Sequence, residues 1–351
     1  MHCRSQPVVL IAQRWASWFK LGSPGAGIVT AILILGLVEG ALHSESLFHR
    51  LRSVFAAGRA FDKVFYVERN PPRILLIGNS RMDNGVDPRT LAEVMGDGTT
   101  AFNLGLPGAN ATILLGIVQR LDRMGRFGPG RIERVLIGLD EDIVQKADAL
   151  GYDVFFVDPP LTWTTFPEYL RSRFHLWGFA NNLKQLREPA KLVQFFKALT
   201  GSIEPVGGGA SARLGYRPGF GAAQDLNQIA QQEAGSTAPP HNASVESLFA
   251  LMDLLEERHV AVAIVFPPLL NRTVLYLNSD RSVAIPYREI LKRLGARGVA
   301  MYALDQTTKI YAHEFVNAGH LNDSGAQRFT AMLGAAYVEG RGARLKKVHI
   351  P

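Results

Sequence analysis

The sequence has a single cysteine, Cys3, and it precedes every strand-like segment. A disulfide framework and a thiolate metal site are both excluded, while an oxidising compartment is neither required nor excluded. The chain also lacks a G-x-x-x-x-G-K-S/T phosphate loop and an H-E-x-x-H metal motif. Charged residues make up 20% and hydrophobic residues 47%, an ordinary globular balance with some apolar excess. The net charge of +7 is nowhere drawn into the stripe that nucleic acid requires, so no nucleic-acid partner is expected. Its densest clusters are Arg50, Arg52, Arg59 and Lys63, and Arg341, Arg344, Lys346 and Lys347. Each could meet anionic lipid or an acidic polymer, and each could be a solvated end. With 351 residues, the chain has material for one large domain or two.

The apolar excess is local. Between Lys20 and Glu39 lie 18 residues without a charge, including Ile28-Val29-Thr30-Ala31-Ile32-Leu33-Ile34-Leu35. Ser23-Pro24 reads as an N-cap followed by proline at the first helical position. A helix from Pro24 to His43 would be about 30 Å long, enough to cross the hydrocarbon of a bilayer. Glu39 would then sit near the far interface. A cleaved signal peptide and a buried core helix are the alternatives. The stretch is long, starts late and is followed by no small-x-small site, which favours an uncleaved transmembrane anchor over residues 24–43. Arg4, Arg14 and Lys20 precede it and Arg50, Arg52 and Arg59 follow, so the positive-inside rule does not set orientation. Residues 1–23 form a cytoplasmic or interfacial segment, in which Val8, Val9, Ile11, Trp15, Trp18 and Phe19 fit a short interfacial helix.

Residues 44–71 read as a basic linker, ending in Asn70-Pro71-Pro72, a rigid lead into the first strand. Strand-like runs then fall at Arg73–Ile77, Thr100–Leu104, Glu133–Leu139, Val260–Phe266 and Val299–Leu304. Helical periodicity appears at Pro88–Met95, Ala111–Met124, Ser244–Arg258, Tyr287–Leu294 and Asp323–Val338. Continuous runs such as Val135-Leu-Ile and Val262-Ala-Ile-Val suit parallel strands covered on both faces. The pattern predicts an α/β domain over residues 72–340, doubly wound around a mainly parallel sheet of about five strands. An aromatic-rich, partly helical insertion interrupts it at about 151–243; it is either a substrate-covering subdomain or a surface excursion. Residues 341–351 form a basic tail.

Two short motifs carry the chemistry. Gly78-Asn79-Ser80-Arg81 follows the first strand, so Ser80 stands at the carboxyl edge of the sheet, where open α/β folds build their sites. Gly319-His320-Leu321-Asn322 precedes the last helix, and His320 can return to that edge as the base a serine nucleophile needs. The expected separation of Ser80 Oγ from an imidazole nitrogen is within about 4 Å. The bland readings are a helix N-cap for Ser80 and a capping or backbone-bonding role for His320.

Four blocks, Ile77-Gly78-Asn79-Ser80-Arg81, Phe102-Asn103-Leu104-Gly105-Leu106-Pro107-Gly108-Ala109, Val135-Leu-Ile-Gly-Leu-Asp140 and His320-Leu321-Asn322-Asp323-Ser324-Gly325-Ala326, resemble those of SGNH (GDSL-like) hydrolases. The similarity spans about residues 72–338 and is nearest to the membrane-associated branch that includes bacterial exopolysaccharide O-acetylation and lipoteichoic-acid alanylation proteins. It implies an SGNH-type fold and a cofactor-free serine esterase or acyltransferase. Ser80 would attack an acyl group, an O-acetyl group first of all, of a cell-envelope or exported polysaccharide, with His320 as base. The backbone N–H groups of Ser80 and Gly105 would hold the oxyanion, with the Asn103 amide in support, and Asn79 and Arg81 would contact substrate. A local salt bridge is the alternative for Arg81.

The family carries an aspartate three residues before the histidine, where this chain has Asn317. An asparagine can orient the imidazole but cannot offset the imidazolium charge. Glu314, Asp323 and Asp305 are the candidate substitute acids. The family also has an oxyanion asparagine where this chain has Asp140, whose charge would repel an oxyanion. These departures keep a second reading open, a catalytically degenerate glycan-binding or scaffold protein of a polysaccharide assembly. The implied partners are the lipid bilayer, an acylated glycan or acyl donor, and an integral-membrane acyltransferase. The implied location is a single-pass protein of the cytoplasmic (inner) membrane with its domain extracytoplasmic (periplasmic).

Overall fold

The computed structural model describes residues 24–44, 47, 56–96, 98–145, 152, 156, 174–176, 184–200, 213–218, 227, 239–270, 285–304, 310–340 and 343–344. Residues 1–23, most of the insertion, Asp305 and most of the tail lie outside them.

Helix α1 covers Pro24–Leu42, one residue short of the expected span, with a mean hydropathy of 2.0. Leu33, Leu35 and Leu37 are exposed, whereas a soluble core helix would bury such side chains. Among the described residues it is the one helix long and apolar enough to cross a membrane.

The expected linker contains helix α2, Ala56–Arg69, whose Ala60, Phe61, Val64 and Val67 are buried in the main apolar cluster. Lys63 and Arg59, placed by sequence in a solvent- or lipid-facing cluster, turn inward: Lys63 is 2% exposed. A four-carbon stem lets lysine reach a carboxylate from a helix that is otherwise packed on apolar neighbours.

The alternation then proceeds as expected, with a short helix, α3, added directly after the first strand: β1 (Ile74–Ile77), α3 (Ser80–Gly85), α4 (Pro88–Met95), β2 (Ala101–Asn103), α5 (Ala111–Arg123) and β3 (Arg134–Gly138). After the insertion, which includes α6 (Pro189–Leu199), come α7 (Asn242–Glu257), β4 (Ala261–Val265), α8 (Ile285–Ala296) and β5 (Ala300–Tyr302). A hairpin of β6 (Phe315–Asn317) and β7 (His320–Leu321) leads into α9 (Asp323–Val338), and a two-residue β8 (Ala343–Arg344) closes the described chain. Side chains cap the helix starts: Asp87 accepts from Arg89 N–H, Asn110 from Ile113 N–H and Asn322 from Gly325 N–H.

The main sheet runs β2-β1-β3-β4-β5-β8, the first five strands parallel and β8 antiparallel. Alternate side chains of β1 enter two separate cores. Leu75 and Ile77 join the layer under α2, α5, α7 and α8, and Ile74 and Leu76 join the layer under α3, α4 and α9. Burial on both faces is why these strands read as unbroken apolar runs rather than alternating ones. The order reverses between β1 and β3, and the carboxyl edge at such a reversal is where open α/β sheets place their ligands.

Candidate active site

Ser80 opens α3 immediately beyond β1, which puts it at that edge. Asn79 caps the helix, its Oδ1 accepting from Arg81 N–H at 2.9 Å. The β6–β7 hairpin brings in the second partner. Asn317 and His320 face each other across the two-residue turn Ala318-Gly319. Phe315, Ala318 and Leu321 anchor the hairpin in the same apolar layer as Met82 of α3. His320 Nε2 consequently lies 2.8 Å from Ser80 Oγ, and its Nδ1 lies 3.0 Å from Asn317 Oδ1.

The proton positions follow from one backbone bond. Gly319 N–H can only donate, and it donates to Asn317 Oδ1 at 3.0 Å, so that atom is the carbonyl oxygen. The oxygen therefore receives Nδ1–H from His320, which leaves Nε2 as the acceptor for the Ser80 hydroxyl. Burial lowers the His320 pKa, the Arg81 and Arg217 guanidinium charges add to the effect, and Asp140 and Asp83 offset it only in part. These effects favour the neutral imidazole that a base requires.

None of the described substitute acids reaches this imidazole by a hydrogen bond. Burial alone would raise the Glu314 pKa, but the Arg328 guanidinium and Tyr311 N–H engage its carboxylate and bring it below its ordinary value. Asp323 Oδ1 accepts the Tyr216 hydroxyl at 2.8 Å. Asp305 lies outside the described residues. The group behind His320 is thus Asn317.

Several expected roles are corrected. Gly105 N–H donates to Asn103 Oδ1 at 2.8 Å, and Asn103 Nδ2 donates to Met82 O and Val86 O, each at 2.7 Å. The two groups expected to hold an oxyanion hold each other and α3 instead. A Cβ on residue 105 would lie 2.5 Å from Asp83 N, so glycine permits the loop to press against α3. Ser80 N–H, by contrast, occupies the first position of α3, where no intrahelical acceptor exists.

Asn79 and Arg81 also serve internally rather than lying open for substrate; both are buried. Asn79 Nδ2 donates to both carboxylate oxygens of Asp140, at 2.9 and 2.8 Å. Asp140 accepts Asp142 N–H and Ile143 N–H as well, capping the 3₁₀ turn Glu141–Val144. Arg81 Nη1 lies 2.9 Å from Asp140 Oδ2 as an ion pair, off the line of a good hydrogen bond. Burial opposes the Arg81 charge, but Asp140, Glu141 and Asp142 outweigh it and push the pKa above the ordinary arginine value. The Asp140 charge, expected to repel an oxyanion, is spent on this clamp.

The residues that sequence reading missed lie behind the serine. Asp83, one turn after Ser80, accepts Lys63 Nζ at 2.6 Å and Arg59 Nη2 at 3.0 Å. Lys63 also donates to Gly105 O at 2.6 Å, joining α2, α3 and the Gly105 loop in one buried point. Burial lowers the Lys63 pKa to about 8, against the pull of Asp83. Residues 213–218 of the insertion return to the same place: Leu214 O accepts Asn103 N–H, and Arg217 N–H donates to Asp83 O. The spacing of Asp83 from Ser80 was visible in the sequence; the partners that reach it were not.

Comparison with models of known protein families gives no match, and comparison with curated protein sequences gives none.

Proposed function

We propose that this chain is a membrane-anchored serine esterase or acyltransferase of the SGNH type, acting on ester-linked acyl groups, O-acetyl above all, of a cell-envelope or exported polysaccharide. The observation that carries the reading is the relay Ser80 Oγ–His320 Nε2 at 2.8 Å with Nδ1 fixed by Asn317 at the carboxyl edge of the sheet. In this reading Nε2 takes the serine proton as Oγ attacks the acyl carbonyl. Ser80 N–H, at the head of α3, meets the oxyanion, and the imidazolium returns its proton to the leaving alcohol. Water or a sugar hydroxyl, deprotonated by the same nitrogen, then releases the acyl group. The polysaccharide substrate and the extracytoplasmic placement come from the motif resemblance and are part of the proposal.

A second reading, a glycan-binding scaffold with a retired site, draws support from the Gly105–Asn103 bond, which removes one expected oxyanion donor. A fluorophosphonate probe separates the two. Under the enzyme reading it labels Ser80 in the purified chain, and Ser80→Ala abolishes the label while the fold is retained. Absence of labelling in folded wild-type protein selects the scaffold.

A further inference from the structure

We infer that α6 is a second membrane-contact element, an amphipathic helix resting in the interfacial layer of an anionic bilayer near the end of α1. Two sides of this helix are apolar. Phe195 and Ala198 join the main core, whereas Leu192, Val193, Phe196 and Leu199 are exposed, Phe196 by 58%. At 3.6 residues per turn these four share about a third of the circumference, a continuous stripe rather than scattered surface residues.

Two observations identify what covers the stripe. The first is charge: residues 184–199 carry Lys184, Arg187, Lys191 and Lys197 against Glu188 alone. Lys197 borders the stripe beyond Val193, and Arg187 is exposed just before the helix; basic side chains with an exposed Leu/Val/Phe stripe are the pattern of helices that lie on anionic lipid. The second is attachment. His175 N–H and Leu176 N–H both donate to the Glu39 carboxylate, at 2.7 and 2.8 Å. The His175 ring stacks on His43 at 3.6 Å, and its Nδ1 lies 3.1 Å from Leu42 O. The end of the apolar α1 is thereby fastened to the insertion that carries α6. Phe174, adjoining this junction, is also exposed, and Leu42 and Ala198 belong to one apolar layer. A protein partner would account for the apolar stripe alone; the basic excess and the bond to the end of α1 select lipid. The inference rests on α1 crossing a bilayer and is independent of the chemistry at Ser80.

The test uses the full chain with Cys3→Ser, reconstituted in vesicles of phosphatidylethanolamine and phosphatidylglycerol. An environment-sensitive fluorophore is attached in turn at Phe196→Cys, Val193→Cys, Gly36→Cys and Glu257→Cys. Position 36 has open space around it and position 257 is an exposed control. Labels at 193 and 196 should shift to the blue and be quenched by lipids carrying a nitroxide near the headgroup. The label at 36 should respond to a nitroxide deep in the acyl chains, and that at 257 to neither. Arg187→Glu with Lys197→Glu should weaken the 193 and 196 signals and leave 36 unchanged. The inference is overturned if 193 and 196 behave like 257 while 36 is quenched. Shielding of 193 and 196 from water without quenching by lipid would assign the face to a second copy and equally overturn it. Loss of lipid quenching at 36 would remove the anchor, and this inference with it.

Discussion

Asn317 presents its carbonyl oxygen, not its amide nitrogen, to His320 Nδ1, because Gly319 N–H holds the same oxygen. An asparagine behind a catalytic histidine is damaging when its N–H faces the ring and enforces the wrong tautomer, a loss of about ten-thousand-fold in serine proteases. The tight β6–β7 turn prevents that error. What the asparagine lacks is charge, so an imidazolium formed at His320 under the proposed reaction would have no anion bonded behind it.

Restoring that charge is the most direct prediction. Asn317→Asp should raise turnover of a small acetyl ester by about one to two orders of magnitude, part of the loss known for the reverse exchange. Asn317→Leu should lower it, since Nδ1 is then free to lose its proton and Nε2 to carry one. Steady-state kinetics with matched unfolding curves measure both. A folded Asn317→Asp protein with unchanged, near-zero turnover would sink the enzyme reading.

The pH profile carries a definite sign. His320 is held below the ordinary imidazole pKa by burial first, then by Arg81. The neutral base therefore persists into mild acid, and kcat/KM should fall with acid along a limb centred below about 6.5. Because the folded chain binds fewer protons here than the unfolded one, this group's contribution to stability is full above the unfolded pKa and is lost as pH falls through the folded one. A limb centred above the ordinary value would contradict the assignment of His320 as the base.

Lys63→Met should be strongly destabilising, by about 3–5 kcal/mol, because it leaves the buried Asp83 carboxylate with Arg59 alone and frees Gly105 O. Lys63→Met combined with Asp83→Asn should recover part of the loss, since a neutral amide needs no buried cation. Urea unfolding of the three proteins decides the matter. A single-variant cost below about 1 kcal/mol would mean that water reaches Asp83.

Gly215→Ala tests whether the insertion is part of the site. Residue 215 has φ +81°, and a Cβ there would lie 2.0 Å from Asn103 O. The substitution should detach residues 213–218, and the Asn103 amide, now bonded to Leu214 O, should lose hydrogen-exchange protection. Protection equal to wild type would show that the contact is dispensable.

Topology is checked by reporters fused after Pro351. The proposal expects alkaline phosphatase, active only outside the cytoplasm, to be active there. Activity confined to a cytoplasmic reporter would place the domain on the other side.

The sequence by itself determined most of the strand and helix alternation, because those signals are local; it left α2 within a linker and did not mark the β6–β7 hairpin. The 3.6-residue period and the caps put α4 at Pro88–Met95 and α9 at Asp323–Val338, the bounds observed. The apolar runs located all five parallel strands, each observed one to three residues shorter than its run. It also named Ser80, His320 and Asn317, since a residue just past a strand or in a tight turn before a helix has few places to go. Only the tertiary structure decided which polar groups meet. Asn79 finds Asp140 across 61 residues, Lys63 finds Asp83 across 20, and the Gly105 N–H turns to Asn103 rather than outward. Nothing in local periodicity encodes those choices. They are settled when packing closes around each polar group and leaves few partners in reach, because a buried donor or charge without one costs several kcal/mol.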